Sequence, residues 1–153
     1  MPFSKYDASD DPYTYPNTQV LKNRIDLRDA DELEAFELEM TALRAEEPLP
    51  QGAFDAGHYC RLHHHLYQDV YDWAGEYRKV RTSKVGNTFC LPEFIEPEMA
   101  KLFPALAEKD HLKGLAPADF VKQAAWLLSE LNAIHPFREG NQSSIGRASR
   151  RAA

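Results

Sequence analysis

Cysteine is scarce: the 153 residues hold two, Cys60 and Cys90, and no CxxC spacing. That excludes a disulfide scaffold and a thiolate zinc cluster and fits a reducing compartment, with both side chains read as buried thiols. Long hydrophobic runs are missing as well. The most apolar stretch, Ala124 to Ile134, is interrupted by Ser129, Glu130 and Asn132, so it falls short of the roughly 18 apolar residues a membrane span needs. The opening MPFSKYDASDD is polar and acidic where a secretory signal would place a basic tip and an apolar block, which makes a cytoplasmic location the expectation. Positive charge is in deficit, 18 Lys and Arg against 24 Asp and Glu for a formal net charge of −6. A sequence-independent grip on nucleic acid needs the opposite balance, so no direct nucleic-acid binding is expected. Internal repeats and low-complexity tracts are absent too, which removes solenoid architectures.

What is present suits one compact domain. The chain is 43% hydrophobic, and a chain of this length buries roughly 70% of its unfolded surface without staples. Residues 1–18 alternate proline and tyrosine with small polar residues and read as an extended arm along the surface. Helical spacing then appears in Leu33, Phe36, Met40 and Leu43, with Asp29 or Asp31 as the cap and Pro48 beyond the end. A second helix is expected from about Asp55 to Trp73, on the stripe Tyr59, Leu62, Leu66, Val70 and Trp73, with Gly75 as a left-handed stop. Between Tyr77 and Cys90 the pattern changes to two short strands around Val85, Gly86 and Asn87. From Pro92 to Ala107 helical spacing returns, with Pro97 expected to open a helix and Pro104 to kink or end one. The strongest pattern starts at Pro117 and carries Phe120, Val121, Ala124, Leu127, Leu128, Leu131 and Ile134 on one face, a helix expected to be central to the core. Pro136 disfavours helical geometry at His135, so the chain should leave that helix there. The fold class that follows is mainly α, a helical bundle with one small β-hairpin.

The loop released by that helix reads His135-Pro136-Phe137-Arg138-Glu139-Gly140-Asn141. A histidine near neutrality can accept a proton from an attacking hydroxyl. A carboxylate four residues on suits Mg²⁺, which takes one or two carboxylates plus phosphate oxygens. Gly140 permits close backbone approach, and Asn141 can donate to a phosphate oxygen. The same residues also suit an ordinary helix end followed by a solvated turn. Three consecutive histidines, His63 to His65, point about 100° apart on a helix and cannot share one metal, so solvated or core-edge roles are expected of them. Trp73 and Trp126 lie on apolar stripes and read as core.

The string HPFREGN resembles the signature of the Fic family, HxFx(D/E)GNGRxxR. The stretches Tyr15 to Asn23, Leu66 to Lys84, Phe89 to Met99 and Leu131 to Asn141 are similar to Fic domains as well, so the likeness covers most of residues 12–141. The resemblance implies the Fido fold over the whole of 1–153, a helical bundle whose β-hairpin flap lies beside the active-site loop. It implies transfer of AMP from ATP, with Mg²⁺, to a Tyr, Thr or Ser hydroxyl of a target protein. On that likeness His135 is the general base, Glu139 the metal ligand, and Gly140 and Asn141 part of the α-phosphate cradle, while Phe137 anchors the loop. The flap, Thr82, Ser83, Lys84, Thr88 and Phe89, would hold the target by strand addition, with Lys84 and Gly86 near the nucleotide.

After Asn141 the chain departs from the pattern. Gln142, Ser143, Ser144, Ile145 and Gly146 stand where Gly, Arg, two variable residues and Arg are expected, and Arg147 and Arg150 are out of register. The tail 142–153 is therefore atypical, resembles a truncated or frame-altered end, and puts the grip on the β- and γ-phosphates in doubt. Weak ATP binding, impaired transfer and an apolar groove on the Phe120 to Ile134 helix are the expectations. No Ser or Thr is followed by the xxxE(G/N) of a built-in inhibitory helix, so the resemblance implies a toxin paired with a small separate antitoxin, with type II topoisomerases as candidate targets. Two alternatives stand beside this: a phosphotransferase, since Gln142 replaces the glycine after Asn141, and a non-catalytic binding module of the same fold.

Overall fold

The computed structural model describes residues 11–84 and 87–141. Among the described residues four α-helices carry the architecture: α1 (Ala30–Glu46), α2 (Ala56–Tyr67), α3 (Pro92–Glu108) and α4 (Pro117–Ile134). Between α2 and α3, β1 (Ser83–Lys84) pairs antiparallel with β2 (Asn87–Thr88), Ser83 opposite Thr88 and Lys84 opposite Asn87. No described helix is long and apolar enough to cross a membrane.

The helix starts follow local chemistry. Asp29 accepts from the amide of Glu32 at 3.0 Å and Asp55 from that of His58 at 2.8 Å, each satisfying an amide that the first turn leaves free. Pro92 and Pro117 open α3 and α4, where a missing N–H costs nothing. Two boundaries differ from the periodicity. α2 stops at Tyr67 rather than Trp73, because the amide of Val70 folds back to the Tyr67 carbonyl and the carbonyl of Val70 is taken by Arg24. α3 runs on through Pro97 and Pro104, so Pro97 does not open a helix and Pro104 does not end one. Five buried side chains on its inner face, Ile95, Met99, Leu102, Phe103 and Leu106, hold it together. Their burial, about 1.5–3 kcal/mol each, outweighs the roughly 3 kcal/mol that each interior proline costs.

The core has two parts. One gathers α3 and α4 around Tyr59 and Phe137; the other packs α1 against α2 around Leu33, Leu66, Tyr67 and Tyr71. α4 is less central than its pattern suggests: Leu127, Leu131 and Ile134 are buried, Phe120 and Leu128 only half so, and Val121 is exposed. Trp73 and Trp126 are likewise half-buried. The described part of the N-terminal arm does more than lie on the surface. Asp11, Thr14 and Tyr15 are buried, and Tyr13 exchanges contacts with the chain beyond, its hydroxyl accepting from the Lys79 amide at 3.0 Å.

Candidate active site

α4 ends at His135 in the left-handed conformation, φ 49° and ψ 63°. Such a backbone costs a non-glycine residue about 1–2 kcal/mol, and it persists here because both peptide groups are held. The His135 amide donates to the Leu131 carbonyl at 2.8 Å, and the His135 carbonyl accepts from Arg78 Nε at 2.7 Å. The imidazole stacks on Phe89, centroids 4.0 Å apart and planes within 6°. His135 thus sits beside the segment that follows β2.

The loop beyond is closed by its own last residue. Asn141 Oδ1 accepts from the Phe137 amide at 2.9 Å while Nδ2 donates to the Phe137 carbonyl at 2.8 Å. This buried side chain closes a ring on the Phe137 peptide that fixes the loop, using Oδ1 and one Nδ2 hydrogen. Phe137 is fully buried against His63, Tyr59 and Tyr77, which is the anchoring expected of it. Gly140 has φ +82°, and a β-carbon there would lie 2.5 Å from the Tyr67 ring. Only glycine fits both the conformation and the space. Glu139 is exposed; its Oε1 accepts from the Gly140 amide at 3.1 Å and its carbonyl from His63 Nε2 at 2.8 Å. Arg138 turns the other way and meets Asp11 at 2.9 Å, an ion pair whose carboxylate is almost wholly enclosed.

Among the remaining residues expected in the site, Thr82 is buried and its carbonyl accepts from the Phe89 amide at 3.1 Å, while Thr88 is exposed and Phe89 half-buried. Ser83 and Lys84 contribute backbone to β1. Gly86 and the tail from Gln142 lie outside the described residues.

Two residues that shape this site escape a reading by motif. His63 is fully enclosed: Nδ1 accepts from the Gly75 amide at 2.8 Å, so Nε2 carries the proton and donates to Glu139. Burial pushes its pKa down to about 4, which keeps the ring neutral. His64 and His65 turn to the carbonyls of Ala74 and Arg44, so the three rings serve three backbone carbonyls. Arg78, also buried, aims its guanidinium at carbonyls around His135. The run of histidines and the basic stretch from Arg78 to Arg81 give no periodic signal that separates these two from their neighbours. Both cysteines are half-buried, and burial raises their thiol pKa values.

Comparison with known proteins identifies the family and the fold. Residues 53–148 match the model of the Fic/DOC family. A probable protein adenylyltransferase of Sinorhizobium fredii is 51% identical over 138 residues, spanning 90% of this chain and 72% of that one. A probable protein adenylyltransferase Fic of Escherichia coli is 39% identical over 141 residues, 90% of this chain and 69% of its own length. In three dimensions, the N-terminal Fic domain of a VirB-translocated Bartonella effector superposes with a TM-score of 0.84 at 28% identity, over 92% of this chain and 71% of that chain. A Bartonella quintana Fic domain with bound ADP gives 0.78 at 28% identity, over 92% and 76%. A motif loop at the end of α4, a paired segment beside it, and these likenesses together make the chain a member of the Fic/DOC family, similar over 90% of its length to enzymes named protein adenylyltransferases.

Proposed function

We propose that this chain transfers AMP from ATP to a hydroxyl side chain of a target protein. The observation that carries the reading is the stacking of the His135 ring on Phe89, 4.0 Å apart. It brings a proton acceptor at the end of α4 against the backbone segment best suited to present a target strand. In the reaction His135 takes the proton of the attacking Tyr, Thr or Ser hydroxyl. The hydroxyl oxygen bonds to the α-phosphorus as the bond to the β-phosphate bridge breaks, and pyrophosphate leaves. Positioning does most of the work in such a displacement. The closed ring of Phe137 to Asn141 and the close seat of Gly140 on Tyr67 keep this loop rigid, which supports its use in positioning.

A divalent cation suits Glu139, whose exposed carboxylate rides on a backbone pinned by His63 and so offers one anionic ligand without rearrangement. Mg²⁺ there would neutralise phosphate charge. Thr88, Phe89 and the β1 backbone of Ser83 and Lys84 form the flap that presents the target strand. Because the sequence lacks both motif arginines after Asn141, the β- and γ-phosphates are held weakly and transfer is slow. A small antitoxin supplies the inhibitory helix, consistent with the missing internal (S/T)xxxE(G/N). Purification from the native gene neighbourhood should recover that partner; its absence would remove this part of the reading.

The transfer is tested with α-labelled ATP and Mg²⁺ in a cell lysate. The wild-type chain should label a protein, His135→Ala should not, and both should show equal ATP affinity by calorimetry. Labelling by His135→Ala at the wild-type rate would overturn the reading, and tight Mg-ATP binding would overturn the weak-grip component.

A further inference from the structure

Arg78 is 2% exposed, and the five donors of its guanidinium form a fixed planar fork. Nε donates to the carbonyl of His135 at 2.7 Å and Nη1 to that of Val80 at 2.8 Å. Nη2 donates to Cys90 and, at 3.1 Å, to Ile134. The Arg78 amide adds a bond to the Pro136 carbonyl at 2.9 Å. One side chain thus gathers carbonyls from three places: the strand approach at Val80, the strand exit at Cys90, and the last turn of α4. Those last carbonyls carry the negative end of the helix dipole, which is what a buried cation needs when it is removed from water. Cys90 reinforces the junction by donating its amide to Ala133 at 3.2 Å.

We propose that Arg78 is the positioning residue of the site: by bonding the His135 carbonyl and both flanks of the β1–β2 pair, it sets the left-handed backbone of His135 and seats its ring on Phe89. The inference rests on the reading of His135 as the base. A lysine cannot replace the fork, because an ammonium is a point charge that cannot meet this planar set of carbonyls. With the clamp loosened, the imidazole departs from the flap while the nucleotide contacts stay in place. The defect therefore falls on the chemical step rather than on ATP binding.

The test compares Arg78→Lys with the wild type by two readouts. The Hε1 resonance of His135 should be shifted upfield by the Phe89 ring in the wild type and should move in Arg78→Lys toward its position in Phe89→Leu. The rate at saturating ATP should fall about tenfold or more, while the ATP concentration giving half the maximal rate changes by less than about threefold. Leu33→Ala serves as a control for general destabilisation, since Leu33 lies in the other core cluster; it should leave both readouts unchanged. A folded Arg78→Lys protein with the wild-type resonance and rate overturns the proposal. Should the variant not fold, hydrogen exchange in the wild type decides: on warming below the melting temperature, the Arg78 Nε–H should lose protection together with the upfield shift of His135. Free exchange at Nε with an unmoved His135 signal would contradict the proposal. If the wild type transfers no AMP, the reading of His135 fails, and the resonance and exchange measurements still decide the role of Arg78.

Discussion

The interior imidazole of His63 gives a prediction whose size and sign both follow from its surroundings. Its pKa is about 4 in the folded protein because burial disfavours the cation, against roughly 6.5 in an unfolded chain. Above about pH 6.5 neither state binds the proton and the full stability is present. Between about pH 6.5 and 4 the unfolded chain binds it and the folded chain does not, so stability falls by about 1.4 kcal/mol per pH unit, roughly 3 kcal/mol in all. His63→Phe removes this titration and keeps the stack on Phe137, which lies 3.8 Å away. It also leaves the Gly75 amide and the Glu139 carbonyl without their partner, a loss of about 2 kcal/mol for two half-buried groups. The variant should therefore be less stable near about pH 7.5, equal near about pH 5 and more stable at about pH 4.5. Urea unfolding followed by tryptophan fluorescence at several pH values measures the difference, in which other titrating groups cancel. Stability curves that stay parallel from about pH 7.5 to 4.5 would refute a buried, neutral His63.

Three further outcomes can be checked by thermal melts and transfer assays. Asp11→Ala removes the enclosed carboxylate from the Arg138 guanidinium and should cost about 2–4 kcal/mol, a drop of about 4–16 °C in Tm; an unchanged melt would mean that the arm does not hold the loop. Gly140→Ala drives a β-carbon into the Tyr67 ring and should destabilise by about 1–3 kcal/mol and suppress AMP transfer; full activity would show that the loop yields freely. Pro97→Ala and Pro104→Ala, both on the exposed side of α3, restore an amide to the helix and should each add about 1–3 kcal/mol. A lowered Tm in either would show that the proline ring supplies packing the helix needs.

Much of this molecule is legible in its sequence. Asp29, Asp55, Pro92, Pro117 and Pro136 act through neighbours in sequence, so helix starts and the release of the chain at His135 follow from local rules. The motif loop could be placed for the same reason. What stayed hidden depends on distant backbone atoms, which have no signature in the side-chain pattern. Arg78 and His63 bond to carbonyls far away in the chain, from Cys90 to Glu139. The end of α2 is set by Arg24 capturing the Val70 carbonyl. In α3, propensity alone predicts a break that five buried side chains override. The ring that Asn141 closes on the Phe137 peptide likewise has no signature in residue type.

The central claim is that the α-phosphorus of ATP is the atom transferred and that His135 receives the proton of the accepting hydroxyl. The most direct test incubates the chain with Mg²⁺ and ATP carrying one label at the α- and another at the γ-phosphate, then counts both on the modified protein. The account predicts that only the α label becomes covalently attached, with the γ label in released pyrophosphate, and that His135→Ala attaches neither. Attachment of the γ label alone would make the chain a phosphotransferase and contradict the account.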